Sequence, residues 1–595
     1  MRIFAKLLIG LLASFGFLVI MLFCVLIYIA ISSDSVPSQA SKPPENMVLS
    51  LNLDAGFSEG KAGRDMSYFG FSGRTSLQDA VVALRRARDD DRVKAVVANI
   101  SGQSLGLAQI QDIRNAVATF RESGKPTYLY SETIGELGNA TPAYYLASAF
   151  EEIWLQPSGG VGLTGLALEQ PFFKEFLDRL GVRANVIQRY EYKSAAENLT
   201  NSGMSEPARE ALDSLFGAIF NQIVNGVAQS RPISEDDVKQ LMRDGPLLAQ
   251  EALDGGLVDS LGYRDEFDDH IETDFDDAKE VSLGRYLSFG LPEDVDRADR
   301  SIAVIHAIGP IQRGESDDNP FATQAVIGSD TLAAAIRSAA EDENIDAILM
   351  RIDSPGGSYV ASDTVWREVV KATEAEKPFI VSMGNTAASG GYYIAMAADT
   401  IFAQPGTVTG SIGVIVNKIV LEEAFEKLDI NWTTLTYGDN GAMFTATRDF
   451  NDAEMLRMNR TLDAIYNDFT SKAALGRDMP VDEIRRIARG RVWSGEDAKR
   501  IGLVDELGGL SDAIEHTKVA IGLTADDLVR LVAYPPPKDP LEALKDALED
   551  GSLPFGLQNA ISMLASISGT VNTWIAPYVD GPESSILFVE PIIIR

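Results

Sequence analysis

YYIAMAADTIFAQPGTVTGSIG, residues 392–413, has a near copy earlier in the chain, YYLASAFEEIWLQPSGGVGLTG, residues 144–165. Nine of the 22 positions are identical without a gap. Working outward from this pair, VKAVVANISGQ (93–103) parallels IDAILMRIDSP (345–355), and ALDGGLVDSLG (252–262) parallels AKRIGLVDELG (498–508). Three matched segments in the same order read as a duplication. The chain therefore divides into two homologous domains, 47–290 and 301–534, joined near LPEDVDRADR (291–300). Within the second, SIAVIHAIG (301–309), DAILMRID (346–353) and PFIVSMG (378–384) are near-continuous apolar runs of strand length, and SDTLAAAIRSAAED (329–342) and ASDTVWREVVKATEAE (361–376) between them have helical periodicity. Buried apolar strands alternating with amphipathic helices predict parallel α/β layers.

Composition narrows the function. At roughly 150 residues per domain, 595 residues exceed a single domain. Lys plus Arg number 52 and Asp plus Glu 86, a formal charge of −34. That balance argues against a nucleic-acid partner, which needs a basic face to meet phosphate. The 45% apolar content excludes a disordered chain. Cys24 is the only cysteine, which leaves no intramolecular disulfide and no cysteine-based zinc site. Only three histidines occur, His270, His306 and His516, and His306 lies inside an apolar run, where a hydrogen-bonded core role fits it.

Residues 7–33 carry no charged side chain, and about 20 such residues suffice to cross a bilayer as a helix. Arg2 and Lys6 precede the run and Asp34 follows it, so the N-terminus is expected to stay cytoplasmic. The run is longer than the apolar region of a cleavable signal, about 7–15 residues. It reads as an anchor, and residues 34–46, polar and proline-rich, as a tether. After Tyr534 the α/β pattern stops, and residues 535–595 form an extension ending in SILFVEPIIIR, read first as an added strand and alternatively as a membrane or partner contact.

The chain contains no GxxxxGK[ST] loop and no HExxH helix. Three small-residue loops of the second domain stand out. IDSPGG (352–357) ends a strand with Gly356 and Gly357 and can turn backbone N–H groups outward, as an oxyanion hole requires. GNTAASGGYY (384–393) holds Ser389 among Ala387, Ala388, Gly390 and Gly391, which leave room for a peptide. TVTGSIG (407–413) holds Ser411. Each alone is an ordinary turn composition, but sites of α/β proteins gather at strand ends, where all three fall.

DSPGG, SMGNTAASGGYYIA and TGSIG, with YEYKSAAE (190–197) upstream, resemble the signal peptide peptidase A family in its long, two-domain form, over residues 47–520 and including the anchor. The resemblance implies tandem crotonase-like (Clp protease-like) α/β domains behind one N-terminal transmembrane helix, and a serine endopeptidase with a Ser–Lys dyad. By motif, Ser389 matches the nucleophile, Lys193 the general base, Ser411 a serine that orients the lysine, and Gly356, Gly357 and Gly390 the region of the oxyanion donors. It also implies cleaved signal peptides as substrates, no cofactor and no metal, a ring-like homo-oligomer such as a tetramer, and a place in the bacterial inner membrane with the domains periplasmic. A non-catalytic membrane-anchored scaffold that binds apolar segments is the rival reading, and an acyl-CoA enzyme on the same fold is a second.

The repeat bears on this independently. At the offset of 248 that aligns Tyr144 with Tyr392, Ser389 meets Thr141, Ser411 meets Leu163 and Lys193 meets Gly441. The first domain keeps the lysine and the second keeps the serine, as a duplication that divided one dyad would leave them. Thr141 is followed by Pro142, which has no N–H to offer, and reads as structural. For Lys193 to act as a base, burial must overcome the field of a strongly acidic chain, and neither Glu191 nor Glu197 can pair with it.

Overall fold

The apolar runs of the two halves form two sheets with the same strand order. The computed structural model describes residues 43–60, 75–102, 105–289, 298–316, 325–524 and 527–536. In the first half, Ser260–Leu261, Glu152–Leu155, Thr127–Ser131, Val93–Asn99, Met47–Asn52 and Lys279–Ser282 lie side by side, all parallel. In the second, Glu506–Leu507, Thr400–Ala403, Phe379–Ala388, Ala347–Ser354, Ser301–Ile308 and Arg530–Tyr534 repeat that order, again in parallel. Beyond residue 383 the strand Phe379–Ala388 exchanges its neighbour for Val408–Gly410, which also pairs antiparallel with Val492–Ser494. The sheet therefore splits where the Ser389 loop begins.

The central strands are buried on both faces, as their unbroken apolar runs require: Leu49, Val96, Leu129 and Ile153 in one core, Met350, Val381 and Ile401 in the other. The helix expected over 361–376 runs Tyr359–Glu374. It starts earlier because Ser358 caps it, its hydroxyl accepting from the Ala361 N–H, and Glu376 leaves helical space at φ 60.

Two features lock the halves together. Arg183–Arg189 of the first half pairs antiparallel with Val414–Val420 of the second, Val414 opposite Arg189 and Val420 opposite Arg183. Arg351, fully buried on Ala347–Ser354, donates to Glu59 (3.0 Å) and Asp112 (2.6 Å) of the first half and to Ser382 and the Met383 carbonyl of its own. Burial works against its charge, but Glu59 and Asp112 hold the guanidinium pKa above its ordinary value. His306 is half-buried on its strand, opposite Arg351 in the ladder.

The expected anchor at 7–33, most of the tether, most of the linker and the extension beyond residue 536 lie outside the described residues. Among the described residues no helix is long and apolar enough to cross a membrane.

Candidate active site

The strand Phe379–Ala388 delivers Ser389 to the start of the helix Gly390–Ala395. Ser389 holds φ 55 and ψ −116, outside the ordinary helical and extended wells, and is fully buried. Such a conformation costs of order 1–3 kcal/mol and persists only where the surroundings fix it. They do so here: the Ser389 N–H donates to the Gly410 carbonyl (2.9 Å), and the Ser389 carbonyl accepts from Tyr393 (2.9 Å). Ser411, next to Gly410, is likewise at positive φ (51) and is held by its N–H to the Arg491 carbonyl (2.7 Å).

Lys193 arrives from the other half. The strand Arg183–Arg189 ends against Val414, and the chain then turns back with the N–H groups of Tyr190 and Tyr192 both donating to the Arg489 carbonyl (3.2 Å each). Gly490, at φ +84, makes room for this turn, because a Cβ there would lie 2.5 Å from the Lys193 Cβ. The lysine Nζ stands 2.9 Å from Ser389 Oγ, 2.9 Å from Ser411 Oγ and 2.8 Å from the Ser411 carbonyl. All three partners are neutral.

Burial alone pushes the Lys193 pKa down to about 7. The two nearby carboxylates are engaged elsewhere: Glu191 pairs with Arg489 (2.5 Å), and Glu197 accepts from Ser205 Oγ (2.6 Å). The overall charge of −34 therefore does not reach the amine as a direct ion pair.

The glycine loop closes over the serine. Gly356 is at φ +104, and a Cβ on it would lie 2.6 Å from the Gly390 nitrogen, while a Cβ on Gly390 would lie 3.0 Å from the Gly357 nitrogen. The N–H groups of Gly357 and Gly390 thus stand close together beside Ser389. Gly390 begins a helix, so its N–H has no acceptor within that helix. A side chain on Gly357 would strike the Ile311 carbonyl at 2.0 Å. The structure brings together all six residues singled out in the sequence: Ser389, Lys193, Ser411, Gly356, Gly357 and Gly390.

Sequence reading missed two contributors. Gly490 carries the lysine turn, and its only signal is a glycine between a helical pattern and VWS. Ser354, whose hydroxyl accepts from the Gly356 N–H (3.2 Å), shapes the glycine loop from inside DSPGG. Thr141, at the serine's repeat position, is buried with its hydroxyl accepting from the N–H groups of Thr164 (3.1 Å) and Gly165 (2.9 Å), a turn-holding role.

A nucleophile-sized hydroxyl, a buried amine and paired backbone donors compose the site of a serine hydrolase. Comparison with known proteins agrees. The family model described as peptidase family S49 matches twice, over residues 119–276 and 371–524, once in each half. The chain belongs to peptidase family S49 and is a serine peptidase. It is 32% identical over 506 residues to Serine protease SPPA, chloroplastic, of Arabidopsis thaliana, covering 83% of this chain and 72% of that protein. It is 34% identical over 451 residues to Protease 4 of Salmonella typhi, covering 74% and 71%. Protease 4 of Haemophilus influenzae matches at 29% over 479 residues, covering 77% and 75%. Among solved structures, a ClpP1 mutant from Listeria monocytogenes aligns at 16% identity and a TM-score of 0.24, covering 37% of this chain and 96% of that one.

Proposed function

We propose that the chain is a membrane-anchored endopeptidase that cleaves apolar peptides, remnant signal peptides foremost, with Ser389 as nucleophile and Lys193 as general base. The single observation that carries this reading is the 2.9 Å contact between a carboxylate-free, fully buried lysine amine and Ser389 Oγ. A neutral amine has two N–H groups and one lone pair. Its N–H groups are satisfied by the Ser411 carbonyl and Ser411 Oγ, which leaves the lone pair facing the Ser389 hydroxyl.

In the proposed cycle the Ser389 hydroxyl proton passes to Nζ as Oγ bonds to the scissile carbonyl carbon. The carbonyl oxygen takes up the electron pair and is held by the N–H groups of Gly357 and Gly390. The C–N bond breaks as the lysine ammonium returns its proton to the departing amine. Water then attacks the acyl-enzyme, giving its proton to Nζ, and the ester bond breaks as Ser389 Oγ regains a proton. Ser411 orients Nζ throughout. No cofactor or metal takes part in these steps.

Residues 7–33 anchor the chain, single-pass, in the bacterial inner membrane with the N-terminus cytoplasmic and both domains periplasmic. That placement suits substrates released within the bilayer. A ring of several copies shelters the dyad from folded proteins. The rival non-catalytic scaffold does not account for a desolvated amine aimed at a strained serine.

The test is turnover of an apolar peptide thioester by Ser389→Ala and Lys193→Ala chains, alone and co-expressed. Neither variant should turn over substrate while both stay folded. The mixture should stay inactive too, because each dyad is drawn from one chain. Wild-type turnover by Ser389→Ala would overturn the assignment, and recovery in the mixture would move the dyad across chains.

A further inference from the structure

One strand pair joins the halves, and the repeat contains a second pair of the same kind that is not made. In the chain, Arg183–Arg189 joins Val414–Val420 with residue numbers summing to 603 at every rung, Val416 opposite Ile187 among them. Shifting each member by the repeat offset of 248 gives residues 431–437 (NWTTLTY) as the counterpart of the first and 166–172 (LALEQPF) as the counterpart of the second. Their numbers also sum to 603, so the counterpart of Val416 opposite Ile187 is Leu168 opposite Leu435. A pseudo-twofold relation between the halves would have closed both pairs inside one chain. Only one is closed.

Both leftover segments belong to no strand or helix and form no backbone hydrogen bond with the described residues. Residues 431–437 are exposed throughout, with Leu435 at 81% and Tyr437 at 92%. Residues 166–172 alternate half-buried and exposed, with Leu166, Leu168 and Phe172 on the half-buried side. An open edge carrying large apolar side chains is a template for another strand. The short helices that precede Arg183–Arg189 and residues 431–437, Lys174–Leu180 and Glu422–Lys427, bury none of their residues, and within the chain they meet through the Ala424 N–H to the Gly181 carbonyl (3.0 Å).

We propose that residues 431–437 of one copy add, antiparallel, to residues 166–172 of a second copy of this chain. Leu166 then faces Tyr437, Leu168 faces Leu435 and Phe172 faces Asn431. The surface offered lies on the second half and the surface that receives it lies on the first. The contact is therefore head-to-tail, which a two-fold dimer cannot use and which builds rings or filaments. This deepens the ring assembly proposed above and rests on it, but not on the catalytic assignment. At this second junction the positions equivalent to Lys193, Ser389 and Ser411 are Gly441, Thr141 and Leu163. Each chain would thus contribute one dyad, at its internal junction, and one inert copy of the junction between chains.

The test uses the full-length protein in detergent, with Cys24→Ser as background. Leu168→Cys and Leu435→Cys in one chain should give a ladder of crosslinked chains on oxidation or with a short bismaleimide, because directly opposed Cβ atoms lie about 4.5–5.5 Å apart. Leu168→Cys with Thr434→Cys, whose side chains point to opposite faces, should not. Thr434→Pro, which removes a ladder donor, should reduce the assembly to single chains by native mass spectrometry while fluorophosphonate labelling of Ser389 persists. A monomeric wild-type chain would overturn the proposal together with the ring. An oligomer that survives Thr434→Pro, or that crosslinks equally in both cysteine pairs, would overturn the strand pairing alone. Loss of labelling without loss of assembly would also count against it, since it would place 431–437 in the active site instead.

Discussion

Substituting Ser411 by Asp should move the pH at which the enzyme works, and the structure sets the size of the effect. With the Lys193 pKa at about 7, the neutral fraction is about one in eleven at pH 6, half at pH 7 and about ten in eleven at pH 8. kcat/KM for a thioester should therefore rise about tenfold from pH 6 to 8 and then level off. An ordinary lysine would give about a hundredfold rise over the same interval and go on climbing toward pH 10. Ser411 Oγ stands 2.9 Å from Nζ, so a carboxylate there would favour the ammonium by one to three pKa units by comparison with other close ion pairs, roughly 1.4–4 kcal/mol. The midpoint should move to about 8–10, with a drop of about fivefold to five-hundredfold at pH 7 that recovers in alkali. Ser411→Ala removes the hydroxyl without adding charge and should lower the rate while leaving the midpoint near 7. An unmoved midpoint in Ser411→Asp, or a wild-type profile flat from pH 5 to 9, would refute the desolvated base.

The same shift bears on stability. The folded pKa of Lys193 lies below the unfolded value of about 10.4, so the unfolded chain binds more protons between pH 7 and 10.4. Burial of this lysine thus costs stability in full below pH 7, and stability is recovered as pH rises through that window. Integrated, the cost is about 5 kcal/mol, offset by three hydrogen bonds. Lys193→Met should unfold later than wild type at pH 7 in urea, and the gap should shrink by about 2 kcal/mol at pH 9. A gap independent of pH would contradict the shift. Gly357→Ala should lower kcat by about 10²–10³-fold with KM little changed, because a Cβ 2.0 Å from the Ile311 carbonyl must displace the loop that offers its N–H; unchanged kcat would remove Gly357 from the oxyanion site. Arg351→Ala leaves Glu59 and Asp112 buried without their cation and should destabilise the junction by about 3–5 kcal/mol, read by denaturant midpoint. Protease added outside intact spheroplasts should digest both domains; digestion only after lysis would reverse the proposed orientation.

Much of this was legible in the sequence because the repeat is strong. Buried parallel strands need apolar residues on both faces, so DAILMRID and PFIVSMG announced themselves, and the identical strand order of the two sheets follows from one duplicated pattern. The meeting of Lys193 with Ser389 was foreshadowed by the complementary losses at Thr141 and Gly441. Arg351 was visible as a charge in an apolar strand, but its partners Glu59 and Asp112 are 292 and 239 residues away, and no local pattern names them. Gly490 was unreadable for a similar reason. Its need for positive φ arises from a close approach to Lys193, a contact between distant parts of the chain. Glu191, a possible spoiler of the base by sequence proximity, is drawn off by Arg489, again a long-range partner.

The central claim is that Ser389 is activated by neutral Lys193 of its own chain. Fluorophosphonate labelling across pH, with the adduct mapped by mass spectrometry, tests it most directly. The account predicts a single adduct on Ser389, forming with a rate that follows a midpoint near pH 7 and vanishing in Lys193→Met. An adduct on another serine, or undiminished labelling of Ser389 in Lys193→Met, would contradict it.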